Sequence, residues 1–491
     1  MPAAVLTTIL WLVVGVTPAI VALIRLFRAV PAAQDEVWFL LVATRLGRGR
    51  RLYAEVFYGA GPLPVWGAAA LVRWRGAGLR TMRIFTGTLL TATTILLLLL
   101  VATGPARLAV VGASVAMAGL VLAWPPDNTY GVAARMGAVF AVVGLAAGDP
   151  ALVTADLLVG HPSVPAVLSG LGLVVALFAK HSLGVAAALT VLPGWMLVAG
   201  PVPASAAAGT TALGSAAVLA LLARRRELRG FVRRTLTDKG AYLATGRLTF
   251  TGSARRLMTV RPAGWWVDLT AYAVTVAAVL VCPVALAVGT PGAAAAAVCL
   301  AAVSAVGTYP RADPEHVRPG APPALVALIV ALAPLPVAAG VVLTALALLG
   351  VAGLVASWRT HTLRPAEVVV GALDGLPMLS PVTSQSLCDG RRIREVAGRR
   401  ILVLRSDAAQ WYLALDLRNP TAYDYPLAST FGSNGQEVVA QRLRRGDVEW
   451  CLFAPTDAGA LAPTVLEEAV RSRMDPVLDT ALGVLLRARH P

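Results

Sequence analysis

Residues 31–64, PAAQDEVWFLLVATRLGRGRRLYAEVFYGAGPLP, interrupt a chain otherwise dominated by long apolar runs. They follow a first apolar run over residues 4–28 and carry two adjacent acids, Asp35 and Glu36, about a helical turn beyond it. Acids suit the first turn of a helix, where backbone N–H groups without intrahelical partners carry partial positive charge. Next to a run long enough to cross a bilayer, the same pair also marks a membrane face and is a candidate for chemistry there.

The rest of the chain fixes that setting. Hydrophobic residues make up 57% of the 491 and charged residues 14%, with a mean hydropathy of +0.73. A soluble enzyme carries about a quarter charged residues, so this is a polytopic α-helical membrane protein. The first apolar run has no basic segment before it and no small-residue cleavage site, and reads as a retained helix. The net charge of +16 is almost wholly arginine, the two lysines being Lys180 and Lys239. In a membrane protein such a balance points to membrane lipids bearing phosphate. Nucleic acid is excluded as a partner, because the arginines are scattered among loops without an aromatic-rich basic module.

Windows of about 20 apolar residues predict about 11 spanning helices, near 4–28, 84–103, 107–124, 131–148, 164–179, 184–200, 206–223, 265–288, 291–307, 321–336 and 338–357. Residues 63–74 are too few to span and are expected along the interface, with Trp66 and Trp74 at headgroup depth. Residues 1–358 form the membrane domain. The tail, 359–491, alternates short β-like runs with helical periodicity and reads as a small α/β domain. With a cytoplasmic N-terminus, the acid-pair loop, Trp124–Tyr130, Lys180-His181, Arg224–Gly264, Thr308–Gly320 and the tail all fall on the extracytoplasmic face. That places arginine-rich loops outside, against the positive-inside bias, and a gathered lipid phosphate supplies a functional reason. The Arg224–Arg261 loop is expected to rest on anionic headgroups as a surface helix pair. Cys388 and Cys451 lie in the tail, where a disulfide is permitted and not determined by sequence. No Cys/His spacing indicates a metal site.

Within the first loop, Asp35-Glu36 are followed by Arg45, Gly49, Leu52-Tyr53, Gly61-Pro62-Leu63, and then Arg80 and Arg83. This succession resembles the first extracytoplasmic loop of the GT-C membrane glycosyltransferases, in particular the bacterial branch related to protein mannosyltransferases and lipid A aminoarabinose transferases. Three further stretches resemble the same branch. Phe178–Gly184 has the relatives' Lys at Lys180, with His181 where they carry an amide. Tyr309–His316 matches an aromatic-Pro-Arg-x-Asp with a later His, through Arg311, Asp313 and His316. Arg418–Tyr425 resembles an Asn-Pro-Thr element of the relatives' tails; it is either a local turn or a surface facing the acceptor.

The resemblance implies transfer of a sugar from a polyprenyl-phosphate donor to an extracytoplasmic hydroxyl of a glycan, lipid or protein, with inversion in one displacement. Asp35 matches the family's base, with Glu36 as its helper. Arg83, Lys180, His181, Arg311, Asp313 and His316 are then the substrate-binding candidates. The resemblance fixes no cofactor, and a divalent metal is compatible with the chemistry. Basic cavities and proline-broken helices would equally serve a transporter or flippase of lipid-linked sugars. Trp124–Asn128, with Asp127, is a further acid on the same face, explained as well by a turn as by catalysis.

Overall fold

The structure is a computed structural model. It describes the chain except residues 1–12, 14, 30–31, 33, 104–108, 125–128, 150–162, 239–247, 263, 310, 361–369, 377, 379–381, 456–461 and 490–491. Each of the eleven apolar stretches is helical over most of its described residues, the stretch 321–336 breaking at Ala333–Leu335. Among the described residues, six helices are long and apolar enough to cross a membrane: Leu79–Ala102, Thr129–Ala147, His181–Ala199, Pro201–Arg224, Trp265–Val288 and Pro336–Thr360. Ala109–Leu122, Ser163–Leu177 and Pro291–Gly307 are shorter apolar helices, as are Thr17–Ala29 and Ala321–Leu332. The chain is thus a polytopic α-helical membrane protein, and it carries a small mixed sheet near its C-terminus.

By contacts the chain forms two compact units that do not follow chain order. The first comprises Met1–Val30, Thr86–Leu219 and Leu248–Thr362. Its core is built from small residues, because lipid gives no hydrophobic drive and close backbone approach must supply the attraction. Thr129–Ala147 and Ser163–Leu177 meet through Gly137 and Gly172, where an added Cβ would sit 2.7 Å from the carbonyl of Gly172 and 2.6 Å from that of Gly137. Buried Trp195 donates to Ser169 Oγ (3.0 Å), which donates to the carbonyl of Ala141 (2.7 Å).

The second unit comprises Pro31–Phe85, Ala220–Arg247 and Leu363–Pro491. Its sheet has the order β1-β2-β4-β3, with β1 Leu402–Leu404, β2 Trp450–Phe453, β3 Met474–Thr480 and β4 Gly483–Ala488. β1 pairs parallel to β2, and the other pairings are antiparallel. Phe57 of the first polar loop lies in the core of this sheet domain with Tyr423 and Phe431, and its N–H donates to the carbonyl of Ala422 (2.9 Å).

One expectation changes, and the open question of the cysteines is answered. Residues 224–238 do not lie open as a surface helix: Glu227, Phe231, Thr235 and Asp238 are buried. Their spacing puts them on one helical face, turned toward the protein. Glu227 accepts from the N–H of Leu52 (3.1 Å), and Arg234 stands over the rings of Phe57 (5.1 Å) and Tyr423 (5.5 Å). The four cysteines are free thiols, Cys388 exposed and Cys451 buried in β2. Trp124 is buried; Asp127 lies outside the described residues.

Candidate active site

The acid pair opens the helix Gln34–Gly47, both carboxylates in its first turn, and Val37–Thr44 and Leu46 are buried behind them. Asp35 is half-buried. Glu36 is only 1% exposed and meets Arg83, itself 3% exposed, from the helix Leu79–Thr103. Nε lies 3.0 Å from Oε1 and Nη2 3.3 Å from Oε2. A two-pronged contact of this kind offsets the desolvation of both charges, which a single long contact would not. One turn beyond Asp35, the ring of Trp38 stacks on Tyr425 (5.5 Å between centroids, 25° between planes).

The second unit fixes this helix from two further directions. Arg45 in its last turn pairs with buried Asp424 at 2.8 Å. Asn419 donates to Asp424 Oδ1 (3.0 Å) and to the carbonyl of Tyr423, while its own Oδ1 accepts from the N–H and hydroxyl of Thr421. The Asn-Pro-Thr run is therefore a turn held by its own side chains, while Asp424 Oδ2 is buried without a hydrogen-bond partner among the described residues. Beyond the helix, Tyr53 holds a left-handed backbone, φ 64°, which is strained for a bulky residue. It is kept there by its hydroxyl on the carbonyl of Ala60 (2.6 Å) and by the Glu227 contact to Leu52. Burial, the largest cause, then Tyr58 and Glu227 hold the Tyr53 hydroxyl protonated well above the usual tyrosine range.

The remaining candidates lie in the first unit. Lys180 immediately precedes the helix His181–Ala199, with its Nζ donating to the carbonyl of Gly307 (3.3 Å). His181 is half-buried at the first helical position. Asp313 occupies the N-cap position of the short helix Pro314–Val317 without a side-chain cap hydrogen bond, and His316 stands one turn on. Arg311 reaches Asp313 Oδ2 at 2.8 Å, and His316 Nδ1 reaches Oδ1 at 2.5 Å. Burial pushes the Asp313 carboxyl up, but the His316 hydrogen bond and the His316 and Arg311 charges outweigh it and hold it at about 2. Burial dominates His316, and the charges of Lys180 and Arg311 act with it; together they outweigh Asp313 and keep the imidazole below its ordinary value. An ionised carboxylate only accepts, so Nδ1 carries the proton.

Sequence reasoning missed Arg135. It is buried in the spanning helix Thr129–Ala147 and donates through Nη2 to the carbonyl of His316 (2.9 Å). The available signal was one arginine inside an apolar run. Lys180, Arg135 and Arg311 thus gather near Asp313 and His316. Of the eight sequence candidates, Asp35, Glu36 and Arg83 belong to the second unit and the other five to the first. Among the described residues no group of three or more His, Cys, Asp or Glu side chains could hold a metal, and no step below is routed through one.

No protein-family model and no curated protein sequence matches the chain. Solved structures do. ArnT from Cupriavidus metallidurans bound to undecaprenyl phosphate is similar over 99% of this chain and 98% of that one, with 14% identity and a TM-score of 0.55. Its apo state gives 14% identity and 0.53, over 97% of each chain. The Archaeoglobus fulgidus oligosaccharyltransferase in complex with Zn and sulfate gives 13% identity and 0.53, over 97% of this chain and 73% of that one. At these identities the likeness is one of fold, and the fold of this chain is that of the GT-C membrane glycosyltransferases.

Proposed function

We propose that this protein transfers a sugar from a polyprenyl-phosphate donor to an acceptor hydroxyl at the extracytoplasmic face of the bacterial cell membrane, with inversion. The observation that carries the reading is the cluster of Lys180, Arg311, His316 and Arg135 around one carboxylate, in a fold shared with a structure that holds undecaprenyl phosphate. Cationic donors brought from several elements are what a leaving phosphate requires.

Asp35 takes the proton of the acceptor O–H. The freed oxygen attacks the anomeric carbon as the bond from that carbon to the phosphate oxygen breaks, and the electron pair leaves on the polyprenyl phosphate. Lys180 and Arg311 hold that developing charge. Asp313 orients Arg311 and His316, and Arg135 holds the backbone of His316; both are positioning residues. Glu36 is occupied by Arg83, so the pair acts as a brace for the helix that presents Asp35. The tail, 359–491, supplies through Asp424 and Tyr425 the other contacts on that helix and acts on the acceptor side.

Asp35→Asn keeps the side chain's shape and removes the base. Transfer from an undecaprenyl-phosphate sugar is expected to fall by about a hundredfold or more, with the thermal midpoint and undecaprenyl-phosphate binding unchanged. Activity within about tenfold of the parent would exclude Asp35 as the base.

A further inference from the structure

We propose that the helix Phe250–Val260 is a docking surface for the anionic phospholipid headgroups of the bilayer. The proposal is independent of glycosyl transfer and rests on the geometry of this one helix. Thr249 caps it through its hydroxyl, which accepts from the N–H of Gly252 (3.2 Å), and Arg261 ends it in a left-handed conformation, φ 46°. Four residues on, Trp265 begins a membrane-spanning helix. The end of the shorter helix is therefore tethered at headgroup depth.

Its inner face is fixed. Leu257, with Phe250 and Ala254, packs on Ala271, Tyr272, Ala312 and Val317. Leu248 forms a backbone bridge with Arg311, and the N–H of Ala312 donates to its carbonyl (3.1 Å). The outer face therefore has a set direction, and it carries a combination that water does not favour. Met258 and Val260 are 47% and 64% exposed, between exposed Arg255, Arg256 and Arg261. Residues 248–262 contain no acid, and neither Arg255 nor Arg256 forms an ion pair with a described residue. Arg261 instead stands 5.5 Å over the ring of Trp265.

Arginines at the centre of the turned-out arc, with exposed Met258 and Val260 on its two edges, match the boundary between phosphates and acyl chains, where the apolar groups leave water and the guanidinium groups meet phosphate. The helix that follows, long and apolar enough to cross a membrane, exposes Val276, Val279 and Leu280. A bilayer, as a continuous partner, covers both; a folded protein would have to match two helices of different character. Each arginine near an anionic surface adds about fivefold to the preference for charged lipid at moderate salt.

The test uses the full-length protein in phosphatidylcholine nanodiscs with and without phosphatidylglycerol. Val260→Cys, in a Cys388→Ser background that removes the exposed thiol, carries an environment-sensitive fluorophore. Shallow nitroxide-labelled lipid is expected to quench it and aqueous iodide to leave it bright. Mass spectrometry of lipid retained through purification is expected to show phosphatidylglycerol enrichment that drops about fivefold per arginine in Arg255→Gln and Arg256→Gln, and falls with added salt. Quenching by iodide and not by lipid would overturn the docking surface. Lipid quenching with phosphatidylglycerol retention unchanged in the double variant would overturn its anionic preference. Neither result touches the role of Asp35, which is read by turnover.

Discussion

In the second unit four buried acids each pair with an arginine: Glu36 with Arg83, Asp424 with Arg45, Glu227 with Arg225 and Asp238 with Arg234. Around His316 in the first unit the balance is different, since Asp313 serves both Arg311 and His316 while Lys180 and Arg135 are held by backbone carbonyls. A pair of this kind fixes geometry. Around His316 the donors come from several elements and gather about one short stretch, an arrangement suited to holding an anion. The contrast separates residues that brace the site from residues that bind, although both kinds are arginines beside acids.

The sharpest way to break this division is Arg83→Gln. Leaving Glu36 buried without its cation is expected to destabilise the protein by about 3–5 kcal/mol, whereas Glu36→Met with Arg83→Met is expected to recover most of the loss. The measurement is the unfolding free energy of both variants in mild detergent. A single variant within about 1 kcal/mol of the parent would return Arg83 to the anion-binding set.

Arg311→Gln sits on the other side of the division. It removes a charge-assisted contact worth about 1.5–3 kcal/mol to a bound phosphate, so undecaprenyl-phosphate affinity is expected to drop about tenfold to a hundredfold with the thermal midpoint little changed. Titration calorimetry checks this; a fall in stability without a fall in affinity would place Arg311 among the braces.

The helices were legible because length and hydropathy are summed over about 20 residues and survive local exceptions. The acid pair was legible as a helix start for the same local reason. What was not legible joins residues far apart in sequence: Glu36 to Arg83, Arg45 to Asp424, Leu52 to Glu227. Periodicity carries no information about such pairs. Residues 224–238 were misjudged because their arginines were counted and their buried face, Glu227, Phe231, Thr235 and Asp238, was not. Arg135 was visible as a single charge in an apolar run, yet only the structure links it to His316.

The smallest and most discriminating effect is in pH. Asp313 is held at about 2, below the ordinary 3.8. Its unfolded state therefore binds more protons, and the stability it contributes is present above about pH 4 and lost as pH falls toward 2. The shift corresponds to about 2 kcal/mol. His316, also lowered, adds a loss of the same sign that begins near its ordinary value of about 6.5. Asp424 is shifted the other way: burial raises it and outweighs Arg45 and Asn419. The folded state binds the extra proton, so acidification through that window favours folding. Thermal midpoints measured from pH 7 to pH 3 should thus fall less steeply in Asp313→Asn than in the parent, and more steeply in Asp424→Asn. Parallel slopes in all three proteins would mean that the two carboxylates have similar surroundings, and the distinction between a shared acid and a matched one would lose its physical basis.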